Sequence, residues 1–179
     1  HFEGKVYFLL KDRFNPLSEF IVLSLTTDTG TYAGRAVKTL LAFLPSHFVI
    51  TKDAALIGGY FNNRPLVLYY NFNEHQSKIL PGFFNDVGEL DHIRTDNNGN
   101  IDIVVSGRNP SKKRSLWLRN YDRNGTLMKT IWLEPEQDKI LTFGRTVGQP
   151  GGNQIVAGVY GRYSEYSRGI FIANINPDG

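Results

Sequence analysis

Between Ile101 and Trp132 the chain alternates apolar and polar residues in three short runs. Ile101-Asp-Ile-Val-Val-Ser106 has the period of two that sets successive side chains on opposite faces of a strand. Leu116-Trp-Leu-Arg-Asn-Tyr121 repeats the pattern and ends at Asp122-Arg-Asn-Gly125, where Gly125 can supply the positive φ of a hairpin turn. Leu127 to Leu133 closes the unit. The pattern predicts a three-stranded antiparallel meander, and looser copies of it lie before and after.

Laid over one another, the copies set Gly58, Gly107 and Gly158 at strand ends before a polar loop, at spacings of 49 and 51. The next strand recurs as Phe20–Leu25, Leu66–Phe72, Leu116–Tyr121 and Gly169–Ile175, each followed by a turn carrying Asp, Asn or Gly. A period near 50 residues built from four short strands is the spacing of a propeller blade. The expected fold is therefore all-β: four-stranded antiparallel meanders forming consecutive blades of a partial β-propeller. The repeats resemble those of bacterial β-propeller proteins with roughly six to eight blades, broadly kelch-like in period. That resemblance rests on spacing over nearly all 179 residues and implies the fold.

Residues 1–179 are expected to form a single propeller domain, with blades near 1–45 (partial), 46–90, 91–138 and 139–179 (partial). The first blade would hold Lys5–Leu10, Glu19–Leu25 and Tyr32–Leu44, stopped by Pro45. Glu3-Gly4 reads as a turn leading into a second strand, and Asn176-Pro-Asp-Gly179 as a turn after a third. The first and last blades would then have three strands each, as a fragment of a larger propeller whose unpaired edges associate. Trp117, Leu116, Leu118, Val104, Ile103, Phe171 and Ile172 are the expected core.

Composition narrows the function classes. The chain lacks any run approaching the roughly 18 apolar residues of a membrane helix. With no cysteine, disulfides, thiolate metal sites and cysteine nucleophiles are excluded. A net charge of +3 is too mild to argue for nucleic acid. Abundant Asn, Tyr, Gly and Thr point to an extracytoplasmic location, the periplasm or cell surface.

Candidate chemistry is sparse. Among the four histidines, His47 and His92 stand 45 residues apart as one repeat position, and no metal-ligand spacing occurs. The stretch Asp96 to Asp102 offers oxygens at alternate positions, as calcium loops do, but departs from EF-hand spacing and reads as a turn. Asp122-Arg-Asn-Gly-Thr126 resembles the Asp-box of sialidase-type propellers with one extra residue before the glycine; that motif is structural. Glu89, Asp91, Glu134, Glu136 and Asp138 sit beside turns and read as solvated loop charges. No phosphate loop or nucleophile elbow is present. No catalytic residue, metal or cofactor is expected.

The loops joining second to third strands share one rim of a propeller: residues 11–19, 61–65, 108–115 and 161–168. They carry nine positive residues against three acids, so a chain of +3 concentrates +6 there. Loops on one face of a rigid scaffold are where contacts gather. Arg108, Lys112, Lys113, Arg114, Arg162 and Tyr163 are the candidate contact residues. The function expected is a non-enzymatic binding or scaffold propeller, a protein-interaction subunit of a larger extracytoplasmic assembly. The alternatives are a carbohydrate- or polyanion-binding module, or the non-catalytic portion of a propeller hydrolase or lyase.

Overall fold

Fourteen β-strands make up the computed structural model, which describes residues 4–11, 19–26, 29–38, 43–83, 87–108, 114–135, 139–148, 153–162 and 165–176. Among the described residues there is no helix. The first sheet is β1 (Lys5–Lys11), β2 (Glu19–Thr26) and β3 (Tyr32–Lys38). The second is β4 (Leu44–Ile50), β5 (Ala54–Phe61), β6 (Arg64–Asn71) and β7 (Gln76–Ile79). The third is β8 (Gly88–Thr95), β9 (Ile101–Arg108), β10 (Arg114–Tyr121) and β11 (Leu127–Leu133). The fourth is β12 (Lys139–Gly148), β13 (Gln154–Arg162) and β14 (Glu165–Ile175). Each sheet is an antiparallel meander in chain order, with three, four, four and three strands as the alternation predicts.

The turns follow from their residues. Asp96 accepts the N–H of Asn98 (2.9 Å) and Asn100 (2.8 Å) through one carboxylate oxygen. Asp122 does the same for Asn124 (2.9 Å) and Thr126 (2.8 Å). In both turns the glycine that follows the Asn, Gly99 or Gly125, takes positive φ and donates its N–H back to the Asp carbonyl. One five-residue pattern thus closes both hairpins. The other oxygen of Asp96 accepts from the Asn100 side chain at 2.9 Å, so both carboxylate oxygens serve the turn that the sequence predicts here.

Two expectations need correction here. Leu44 does not end the first blade: β3 stops at Lys38, residues 39–42 lie outside the described set, and Leu44 opens β4. Pro45 breaks nothing, because it lies on the first strand of its sheet, at an edge, beside a bulge where no ladder donor is required of it.

That bulge recurs. β4, β8 and β12 each slip register against the second strand of their sheet, at Ser46, Asp91 and Thr142. The residue after each bulge begins a line across the sheet: His47–Gly58–Val67, His92–Val104–Leu118, Phe143–Val159–Ile170. His47 and His92 therefore do share a repeat position. The glycine overlay does not hold: Gly58 answers to Val104 and Val159, and β5, β9 and β13 run on to Phe61, Arg108 and Arg162.

Neighbouring sheets pack face to face. Ile101, Ile103, Val105, Trp117 and Tyr121 of the third sheet join a core with Leu56, Val67 and Tyr69 of the second. Val104, Leu116 and Leu118, on the other face, pack against Leu141, Val156 and Ile175 of the fourth. The third sheet is thus buried on both faces, which is why β9 is buried almost throughout. Trp117, Leu116, Leu118, Val104 and Ile103 are core residues as expected. Phe171 is partly buried against the fourth sheet's core, but Ile172 is 74% exposed. Adjacent strand residues point to opposite faces, and no described sheet covers the far side of β14.

Candidate binding site on the loop rim

The polar loop between β9 and β10 is bracketed by Arg108 and Arg114, which are register partners and both exposed. Like charges set directly across an antiparallel pair repel. An anion between them would relieve that repulsion. Beside them a cleft of about 220 Å³ opens between the third and fourth sheets. It is lined by both arginines, Glu89, Asn63 from the β5–β6 turn, Ser106, Gly107, and Leu141 and Thr142 from β12. Asn63 reaches the rim because Asn62 and Asn63 both take positive φ, as a tight two-residue hairpin requires. A Cβ on Gly107 would lie 2.4 Å from the Val87 carbonyl oxygen and 2.7 Å from the Trp117 ring, so only glycine fits at this point of the cleft wall.

The six candidate contact residues fare differently. Arg108 and Arg114 are placed together at the cleft. Arg162 is placed by its backbone alone, as the last residue of β13, paired with Lys139 and Glu165. Lys112, Lys113 and Tyr163 lie outside the described residues.

Behind the cleft stands a group that the sequence reading mistook. Asp91 is no solvated loop charge: the β8 bulge turns it inward, leaving it 7% exposed. The Ser106 hydroxyl donates to one of its oxygens and the Gly144 N–H to the other, both at 3.1 Å. It therefore ties the third sheet to the fourth directly beneath the cleft. Burial pushes its carboxyl up to about 7; the two hydrogen bonds oppose that rise and the Glu89 charge adds to it. His92 lies next to it and accepts the Thr146 N–H through Nδ1 at 3.3 Å. Burial, then Arg145, Arg94 and His47, push the His92 imidazole down. Burial lowers His47 likewise. Both rings are neutral at pH 7. Among the described residues no group of three or more His, Asp or Glu is placed to hold a metal ion.

The raised carboxyl has a measurable sign. Between its ordinary value and about 7 the folded state binds the proton that the unfolded state has released, so Asp91 makes stability fall as pH rises through that window. The size is on the order of 4 kcal/mol at most. Asp91→Asn mimics the protonated form, its amide donating to Ser106 and its oxygen accepting from Gly144. Relative to wild type, the variant should gain stability between pH 5 and pH 8 by a few kcal/mol in urea unfolding. A wild-type-to-variant difference that stays constant over that range would refute the assignment.

No family model matches the sequence, and no curated protein matches it. Among solved structures it is similar to the crystal structure of TolB from Acinetobacter baumannii, a β-propeller protein, with a TM-score of 0.52 and 15% identity. The match covers 98% of this chain and 39% of that one, so the chain spans well under half the length of its structural neighbour. At such identity the likeness speaks for the fold. No helix among the described residues is long and apolar enough to cross a membrane. The sequential antiparallel sheets, their face-to-face seams and this match together make the chain a set of consecutive blades of a β-propeller.

Proposed function

We propose that residues 1–179 form one segment of a six- to eight-bladed, kelch-period type of propeller that works by binding rather than catalysis. Its loop rim takes up an acidic surface of a protein partner within an extracytoplasmic assembly. The observation that carries this reading is the pairing of Arg108 with Arg114 at the mouth of the cleft between the third and fourth sheets. Guanidinium groups there offer forked donors to carboxylates, and Asn63 and backbone groups of the cleft add neutral ones. Lys112 and Lys113, from the β9–β10 loop, together with Arg162 at the end of β13 and Tyr163 next to it in sequence, extend the contact. The +6 rim charge speeds encounter with an acidic partner.

The test is affinity capture from an envelope extract with wild-type protein and with Arg108→Ser/Arg114→Ser. The variant should lose at least about tenfold in captured partner, with a melting temperature within about 2 °C of wild type, because both side chains are exposed. Capture by the wild type should weaken as salt rises. Undiminished capture by the variant would place the contact elsewhere on the propeller.

A further inference from the structure

Two asparagines in the chain are followed directly by glycine, in Asn98-Gly99 and Asn124-Gly125. That dipeptide is chemically labile, because a glycine without Cβ lets its own nitrogen reach the asparagine side-chain carbonyl. Both pairs sit in the same turn pattern, Asp96 to Asn100 between β8 and β9 and Asp122 to Thr126 between β10 and β11. Each asparagine is exposed. Each glycine N–H is held on the Asp carbonyl, at 3.1 Å for Gly99 and 2.9 Å for Gly125. A nitrogen held in this way does not attack. Reaction needs local opening of the turn, and its rate follows the cost of that opening.

The two turns are anchored differently. Lys78 of β7 donates through Nζ to the Asn124 carbonyl at 2.5 Å, and the Tyr69 hydroxyl of β6 donates to the Arg123 carbonyl at 2.9 Å. Gly125 is buried, and a Cβ there would lie 2.6 Å from Leu80. Opening this turn therefore breaks two bonds to the second sheet and lifts the glycine off Leu80. Among the described residues, the hydrogen bonds of the Asp96 turn run only within it, from Asn98, Gly99 and Asn100 to Asp96 and from Asp96 to Asn100. Asn98 and Gly99 line an open groove of about 600 Å³, together with Lys52 and Asp53 of the β4–β5 turn and Arg123. A polar groove of that size admits water to the turn.

We infer that Asn98 is a site of spontaneous modification, with water as the co-reactant, and that it reacts ahead of Asn124 although both share one motif. Once the turn opens, the Gly99 nitrogen loses its proton to solvent and attacks Asn98 Cγ. The N–Cγ bond forms, the Cγ–Nδ2 bond breaks, and ammonia leaves with a proton taken from solvent. The five-membered imide then takes up one water. Addition at Cγ gives aspartate, and addition at the backbone carbonyl gives isoaspartate, in which the chain runs through Cγ. No electrons are exchanged. Either product brings a carboxylate into the groove that Lys52 and Arg123 also line, and isoaspartate adds a backbone carbon to the β8–β9 hairpin. The rim reading is not involved, because this turn lies at the opposite end of β9 from Arg108.

Peptide mass spectrometry of the folded chain, sampled during incubation in warm, mildly alkaline buffer, tests it. The Asn98 peptide should convert from amide to acid, with isoaspartate among the products, at least about tenfold faster than the Asn124 peptide, since the second turn has two further bonds to break. In guanidinium chloride the two rates should fall within about twofold of each other, because the anchors are gone. Lys78→Ala/Tyr69→Phe should speed Asn124 at least about fivefold and leave Asn98 unchanged. Lys78→Ala alone, at an exposed position, should act in the same direction and serves if the double variant fails to fold. Four results would overturn the inference: reaction at Asn124 as fast as at Asn98 in the folded chain, no reaction at Asn98 while the unfolded chain reacts, a preference for Asn98 equally large when unfolded, or an Asn124 rate unmoved by loss of its anchors.

Discussion

Trp117→Ala should lower the unfolding free energy by about 3–5 kcal/mol. The indole is 1% exposed, in the seam between the second and third sheets. It stands edge-on to Trp132 across the β10–β11 pair, with ring centroids 5.1 Å apart and planes at 83°. Gly107 lies against its ring, and the Arg119 guanidinium sits 6.0 Å from its centroid and 4.7 Å from that of Phe83. Truncation opens a cavity bounded by backbone that cannot collapse, and it strips one wall from a buried cation. Among the described residues Trp117 Nε1 has no hydrogen-bond partner, so Trp117→Phe loses no such bond and should cost less, about 1–2 kcal/mol. Urea unfolding decides it. A loss below about 1 kcal/mol for the alanine variant would mean that the seam repacks around the void.

Asp102→Ala should cost a similar amount, about 3–5 kcal/mol, for a different reason. Asp102 is 1% exposed and is the acceptor at the centre of a network joining the third sheet to the fourth. Arg94 donates through Nε at 3.0 Å and Nη2 at 2.5 Å. Asn120 donates at 2.5 Å, and Gln154 of β13 reaches both oxygens at 3.2 and 3.3 Å. Removing the carboxylate takes the shared acceptor from the partly buried Arg94 and Asn120 and from the buried Gln154 amide, and the desolvation left uncompensated there dominates the loss. The Arg94→Ala/Asp102→Ala pair should then be clearly less destabilising than the sum of the single changes. Strict additivity would show that the ion pair contributes nothing beyond its separate parts.

How much of this could be read from the sequence depends on periodicity. The strands and the Asp-x-Asn-Gly turns were legible, because each is fixed by a handful of adjacent residues. Their alignment between blades was not. One inserted residue per first strand, at Ser46, Asp91 and Thr142, shifts the pairing without altering apolar alternation, so an overlay on glycines drifts. The same bulge hides Asp91, which reads as a turn acid and is carried into the seam by a slip that composition does not announce. Ile172 is misread for the opposite reason: alternation reports two faces, but which of them is covered depends on the neighbouring sheet. On the rim, loop charge singled out Arg108 and Arg114, and the structure shows them paired across β9 and β10. The cleft beside them was not legible, because it needs Gly88 and Gly107 paired and Asn63 arriving from another sheet.

Every sheet is one uninterrupted stretch of chain whose strands pair in order, with no crossover between sheets. Loop-closure entropy is therefore met hairpin by hairpin, and no distant segment must be found before a sheet can form. Seams couple only nearest neighbours, so order spreads along the chain as in a one-dimensional lattice. The second and third sheets, each supported on both sides, are where such order should survive longest. Amide hydrogens of Ile103, Val105 and Leu118 should exchange among the slowest of the described strands, and those of the short, exposed edge strand β7 among the fastest, in native-state hydrogen exchange.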